Sequence, residues 1–220
     1  MKKRLFLSLI AALMILTAFV SGCGKDTHKV SENGFNTALN HNQLSNVSIK
    51  SYSFVNNKLQ QVVNYVDDDE SITFVINNNG EIIPDSYFRI FDGVEYVFTY
   101  DQDQSKWSLD HSYNIGSDLA IDIYLEMWVI GQYSDYLYSE VTNSFVSGKA
   151  GSVGEDDSTY YHGSSLFFEK NQLKSFQRNY VLENEDGLSF VTNIHYFTDY
   201  GKTKVVIPTE LKELLDAYFK

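Results

Sequence analysis

The sequence predicts an α+β fold: a single strongly curved antiparallel sheet, a half-barrel of about ten strands, with helices covering the concave face. From Val47 onward apolar and polar residues alternate between Asn, Asp and Gly turn signals, the pattern of half-buried strands joined by hairpins. Stretches near Gly34, Ser117 and Pro208 follow a helical period instead, and no second sheet's worth of strands remains to cover the first. With only two prolines, Pro84 and Pro208, and no Pro/Gly/Ser-rich break, residues 34–220 read as one domain.

Residues 1–22 are set apart. Lys2-Lys3-Arg4 precedes an apolar stretch from Leu5 to Val20 and the small pair Ser21-Gly22, the layout of a secretory signal peptide. The apolar stretch falls short of the ~18 to 20 residues of a spanning helix, which favours export followed by cleavage over a permanent transmembrane segment. Val20-Ser21-Gly22-Cys23 resembles the lipobox of bacterial lipoproteins, and that resemblance implies diacylation of Cys23. Cys23 is the only cysteine, so no intramolecular disulfide supports the domain. Two fatty chains hold a protein at a membrane where one leaks, since each buried methylene contributes ~0.8 kcal/mol. Residues 23–33 then form the lipidated cysteine and a polar tether, whose last ten residues reach roughly 18 Å if they behave as a flexible coil.

Within the domain, Gly34 to Asn46 reads as a short helix with Phe35 and Leu39 on one face. Strand runs follow, from Val47 to Val55, from Leu59 to Val66, in "SITFVI", "EII", "SYFRIF", "VEYVFTY" and "KWSL". Ser117 to Val146 reads as one long helix or two in series broken at Gly131. Leu119, Ile123, Met127, Ile130, Leu137, Val141 and Phe145 recur there at helical spacing, with Ser117-Asp118 as cap. Gly148 to Ser165 reads as a Gly/Ser-rich loop placed to act as a flap. Strands resume in "SSLFFEK", "LKSFQRNYVLE", "LSFVTNIHYF" and "KTKVVI", and "PTELKELLDAYFK" closes as a helix.

This order of parts, with the close "FTDYGKTKVVIP" from Phe197 to Pro208, resembles the superfamily of lipoprotein-localisation factors and related carriers, the LolA/LolB and LppX/LprG group. The resemblance implies a half-barrel with a hydrophobic cavity for acyl chains or another greasy ligand. The group's loading factors keep an arginine inside the barrel, a place the sequence assigns to neither Arg89 nor Arg178.

Candidate sites are few. Tyr124, Met127, Trp128 and Tyr133 are the expected ligand-lining residues, rings for an apolar body with hydroxyls at a wet mouth; the competing reading packs them as core. Asp101-Gln102-Asp103-Gln104-Ser105 imitates the start of a calcium loop but has Lys106 where the sixth-position glycine belongs, so it reads as a solvated turn. His28, His41, His111, His162 and His195 are scattered, with no nucleophile elbow, phosphate loop or metal-ligand spacing, so no catalytic residue, metal or cofactor is expected. Removal of the leader leaves 14 of the 17 basic residues against 29 acidic ones, a net charge of −15. That charge repels phosphate backbones and excludes nucleic acid as a partner.

The expected protein is therefore an extracytoplasmic, lipid-anchored, non-catalytic domain that holds a lipid-like ligand in a cavity between sheet and helices. The alternative is a surface protein–protein interaction module with a fully packed core. The anchor makes the first prediction: Cys23→Ser moves the chain from the detergent-extracted membrane fraction to the soluble fraction. A variant that stays with the membrane rejects the lipid tether.

Overall fold

The computed structural model of the chain describes residues 29–55, 58–114, 130–153, 159–184 and 187–219. Two short helices, α1 (Glu32–Ala38) and α2 (His41–Leu44), open the domain. Ser31 caps α1, its Oγ accepting from the Gly34 amide at 3.2 Å, and Asn40 caps α2 by accepting from the Asn42 amide at 2.9 Å. Six strands follow as consecutive hairpins: β1 (Asn46–Val55), β2 (Lys58–Asp67), β3 (Glu70–Ile76), β4 (Ile82–Phe91), β5 (Val94–Asp101) and β6 (Lys106–Asn114). After a 3-10 turn at Tyr133–Asp135 come β7 (Leu137–Ser139), β8 (Ser144–Val153), β9 (Thr159–Glu169), β10 (Gln172–Asn184) and β11 (Gly187–Thr198). Helix α3 (Thr209–Tyr218) ends the chain.

All eleven strands form one antiparallel sheet in the order β6-β5-β4-β3-β2-β1-β11-β10-β9-β8-β7. The chain starts at the centre, walks outward to one edge, re-enters at the other edge and walks back. The halves join along β1 and β11, whose register runs from Ser48 opposite Thr198 to Val55 opposite Val191. We call β1–β6 the leading wing and β7–β11 the trailing wing. β6 and β7 are the two edges, so the sheet is open rather than closed into a barrel.

Because directly paired residues point to one side, the register assigns every strand residue to a face. The first face carries Val47, Ile49, Val66, Phe197, Phe176, Leu166 and Phe145. These are all buried and pack with Phe35, Ala38 and Leu44 of α1 and α2. The Phe35 ring is their hub, lying 5.4 to 5.7 Å from Tyr133, Tyr136, Phe145 and Phe168. The second face carries Ile72, Tyr87, Phe98 and Trp107 on the leading wing, where Leu211 and Leu215 of α3 cover them. Phe219 extends that stripe at the same spacing of four, edge-on to Tyr96 at 4.8 Å and beneath the Arg89 guanidinium at 5.0 Å.

The helices therefore do not all cover the concave face, as the sequence suggested. α1 and α2 lie on one face and α3 on the other. The chain changes face just after β11, where Asp199 (φ 56°) and Gly201 (φ 65°) take left-handed backbone and turn it across the end of β1. There the Asn46 side chain accepts from the Thr203 amide at 2.8 Å and donates to the Thr203 carbonyl at 3.0 Å, and the Ser48 and Thr203 hydroxyls meet at 3.1 Å. Held this way, residues 203–207 run over the second face outside the sheet, which corrects the strand expected at "KTKVVI".

Two other expectations change. The helix expected through Val146 is absent from Ile130 onward: its C-terminal half is a turn followed by the hairpin of β7 and β8. Leu137 and Val141 had the right spacing for a helix face, yet both are exposed while Phe145 is buried. Asn143 (φ 52°) supplies the tight turn, and the aromatic neighbours Tyr136, Tyr138 and Phe145 favour extended backbone. Of the expected flap from Gly148 to Ser165, residues 148–153 and 159–165 belong instead to β8 and β9, and residues 154–158 lie outside the described residues. Among the described residues no helix is long and apolar enough to cross a membrane.

The core makes a quantitative prediction. Leu211, with no exposed surface, anchors α3 to the sheet; Leu211→Ala is expected to lower unfolding free energy by about 2–5 kcal/mol in urea titration. Val206→Ala, at a 75% exposed position of the same C-terminal segment, should change it by less than about 0.5 kcal/mol. Equal effects would reject the docking of α3 described above.

Candidate functional site

Of the residues singled out from sequence, Cys23, Tyr124, Met127 and Trp128 lie outside the described residues. Tyr133 lies within them and is half-buried. Its ring sits 5.5 Å from Phe35 and 5.7 Å from Phe145, edge-on or tilted to each, and so fills space between α1 and the first face. Tyr136 is buried in the same cluster, and the Tyr138 hydroxyl is spent on Asn143.

Three places combine accessible surface or polar groups with apolar surroundings. One is an open cleft of about 480 Å³ between α1 and the turn after Ile130. Phe35, Leu39 and Ile130 line it on the apolar side, with Gln132, Asp135 and Lys149 beside them. The Lys149 ammonium donates to Asp135 Oδ2 at 3.1 Å, and this contact, with the Gln132 amide, holds the Asp135 carboxyl below its ordinary pKa.

Another is a buried polar band on the first face. Ser51 Oγ meets His195 Nδ1 at 2.8 Å across the seam between β1 and β11, and Ser53 donates to Asn193 at 2.8 Å one pair further along. Next to it Arg178, 2% exposed, donates to Ser164 Oγ at 3.3 Å, and Ser164 donates to the Tyr136 hydroxyl at 3.2 Å. The guanidinium lies over the Tyr161 ring at 4.4 Å and near Phe176 at 5.4 Å. Of the two arginines considered from sequence, Arg178 is buried on the first face, while Arg89 sits on the opposite face with α3. His195 stacks on Phe176 with centroids 5.9 Å apart, and burial pushes its pKa down to about 4. It is therefore neutral at neutral pH, and its bond to Ser51 locks the register of the two central strands.

The third was not visible in sequence: the second face of the trailing wing together with the adjoining ends of β1 and β2, opposite α1. Cross-strand rows run over it. Phe190, Val181 and Tyr160 form one row; Leu59, Phe54, Thr192, Asn179 and His162 form the next. Gln61, Tyr52, Ile194, Gln177, Ser165, Val146 and Leu137 form a third. None of these residues is acidic, although the chain holds 29 acidic residues. Phe190 is 66% exposed, Leu137 78%, Tyr160 45% and Leu59 41%. Among the described residues the helical covers lie elsewhere, α3 on the other wing and α1 and α2 on the other face. Bulges in β8 between Ser147 and Ala150, and in β9 near Gly163 (φ 63°), form a shallow hollow at one border of the rows, lined by Ala150, Gly151, Tyr160, Tyr161, His162 and Val181. On the opposite, first face Gly151 leaves room for the Tyr161 ring, since a Cβ there would fall 2.5 Å from the Tyr161 hydroxyl.

In the acidic turn from Asp101 to Ser105, Asp101 Oδ1 accepts from the Asp103 and Gln104 amides at 2.9 and 3.0 Å and closes the hairpin between β5 and β6. No group of three or more metal-ligating side chains occurs among the described residues.

No protein-family model matches the chain, and no curated protein matches it. Among solved structures it is similar to the crystal structure of MucB in complex with MucA(peri), at 8% identity, with a TM-score of 0.18, over 76% of this chain and 94% of that one. A superposition that loose carries no argument about this chain.

The buried histidine gives the next prediction. A neutral His195 with folded pKa near 4, against ~6.5 unfolded, leaves the native state binding fewer protons than the unfolded one between those values. Its contribution is fully present above pH ~6.5 and is lost as pH falls to about 4, at up to ~1.4 kcal/mol per pH unit. Urea titrations of wild type and His195→Asn should diverge accordingly, the wild type losing more stability on acidification over that window. Parallel pH profiles would reject a neutral buried His195.

Proposed function

We propose that this chain is a lipid-anchored extracytoplasmic domain that acts by binding, not by catalysis, and that its binding surface is the second face of the trailing wing. The observation that carries this reading is the composition of those rows: aromatic and β-branched side chains mixed with Thr, Asn, Gln and Ser, four large apolar side chains exposed, and no carboxylate. Interface centres are enriched in aromatics and depleted of charge in this way. A soluble protein otherwise breaks up such patches. Localisation at the outer side of the membrane rests on the leader and on Cys23.

A second reading keeps the amphiphilic ligand. It is favoured by the 480 Å³ cleft, whose volume falls in the range of small-molecule sites and whose lining pairs an apolar side with the Asp135 and Lys149 charges. The described rings around Phe35 fill their space, which favours the interaction surface over an interior cavity.

One pair of experiments separates the two. A photo-crosslinking residue at Asn179, on the face, is expected to give protein adducts in intact cells, and one at Lys212, on exposed α3, is not. Equal adduct formation at both, or none at either, rejects the face as the binding surface. Native mass spectrometry of the full chain released from detergent is expected to show the bare protein mass. A co-purified lipid lost on Leu39→Asp would instead establish the cleft as the site.

A further inference from the structure

We infer that Asn79 is a self-modifying site: in the folded chain the Gly80 backbone nitrogen displaces its side-chain amide, leaving an aspartyl or isoaspartyl residue at the tip of the hairpin between β3 and β4.

The dipeptide Asn-Gly occurs twice, at Asn33-Gly34 and at Asn79-Gly80. Chemically the two are alike. The nitrogen of the following residue attacks the asparagine Cγ, and glycine, having no side chain, obstructs that approach least. A bond forms between this nitrogen and Cγ, the bond from Cγ to the amide nitrogen breaks, and ammonia leaves with the proton from the glycine nitrogen. Water then opens the cyclic imide at either carbonyl. One opening gives aspartate; the other carries the side-chain carbon into the backbone as isoaspartate. Water is the sole co-reactant, so geometry decides which dipeptide reacts.

Asn79 and Gly80 are both exposed at the tip of a short loop. Gly80 (φ 82°) takes left-handed backbone after the turn, and a Cβ added to it would meet nothing within 4 Å. The loop is organised by one residue. Asn77 Oδ1 accepts from the Asn79 and Glu81 amides at 2.9 and 3.0 Å, and the Asn77 carbonyl accepts from the Gly80 amide at 2.9 Å. The attacking nitrogen is thus tied by its bond to Asn77, a contact worth a net ~0.5–1.5 kcal/mol, with open space beside it.

Asn33 and Gly34 are held differently. Both lie in α1, where the buried Gly34 donates its amide to Ser31 Oγ at 3.2 Å, and a Cβ on Gly34 would fall 3.3 Å from Asn171 Oδ1 and from Val30 Cβ. Ring closure there requires α1 to unwind and Phe35 to leave the rings around it. The helix protects one dipeptide and the turn presents the other. Isoaspartate at position 79 lengthens the backbone before Gly80, so the Asn77 contacts to Gly80 and Glu81 cannot all survive. Either product adds a negative charge two residues before Glu81.

Peptide mapping of the full chain after prolonged incubation at mildly alkaline pH tests this. The peptide containing Asn79 is expected to gain the mass difference between an amide and an acid and to split into two chromatographic species. The peptide containing Asn33 should change at least ~10-fold more slowly, because α1 must open first. In urea the two dipeptides are expected to react at similar rates. Asn79→Gln, which would have to close a larger ring, should abolish the shift and leave the urea midpoint unchanged. An Asn79 peptide that keeps its mass in the folded chain overturns the inference, as does equal reaction at Asn33 and Asn79 there, or a shift that persists in Asn79→Gln.

Discussion

The antiparallel pairing of β1 with β11 is the constraint on which the rest of this domain depends. Each wing is a run of hairpins that needs only local turns. The seam instead joins residues separated by more than half the chain, such as Ile49 and Phe197, so its loop-closure cost must be met by side chains that act only once it has formed. The structure places them there. Val47, Ile49 and Phe197 are buried under α2, Ser51 bonds His195, and Ser53 bonds Asn193, all on the first face. On the second face Asn46 and Ser48 hold Thr203. The seam is thus fastened from both sides: by apolar burial and neutral hydrogen bonds beneath, and by the departing chain above.

That double fastening explains why the helices divide between the faces. A sheet of eleven strands has more surface than the three short helices among the described residues can cover on one side. α1 and α2 precede β1 and fold onto the first face beside it. α3 follows β11, but the Asn46 and Ser48 contacts direct the intervening residues over the second face toward the leading wing. Leu211, Leu215 and Phe219 then find Ile72, Phe98, Tyr96 and Trp107. The second face of the trailing wing is what this arrangement leaves over, so the proposed binding surface is a consequence of where the chain turns at Asp199 and Gly201.

Much of this was legible in sequence, and the boundary of legibility has a physical cause. Alternation marks a strand wherever one side is buried and the other wet, and so the strands from β1 to β6, the second half of β9, and β10 and β11 could be read. So could α3, from the spacing of Leu211 and Leu215. Alternation does not say which face is which, because bulges such as those at Thr73 and at Leu173 shift the parity between neighbouring strands. The division of the helices was hidden for that reason. The hairpin of β7 and β8 was misread because Leu137, Val141 and Phe145 satisfy a spacing of four by coincidence, and the Asn143 turn gave too little signal against it. Tyr133 was legible as an aromatic near the core, while its packing on Phe35 depended on a helix a hundred residues earlier. The acid-free rows were invisible because they draw single residues from strands across the chain, and only the register assembles them.

The two edges of the sheet bear on what the face can do. An open sheet invites further strands at its ends, and uncontrolled growth there would compete with any specific contact. On β6 the alternation is interrupted by a bulge opposite Val97 and Phe98, and Lys106 and Asp110 place charge along the edge, with Asp110 2.7 Å from His111 Nδ1. At the other end β7 is three residues long, and the neighbouring stretch of β8 carries its own bulge with Gly148 and Lys149 exposed. Both edges are therefore short, kinked or charged, which disfavours edge-to-edge pairing. Charge and irregularity are thus concentrated along the two edges, where association would be open-ended.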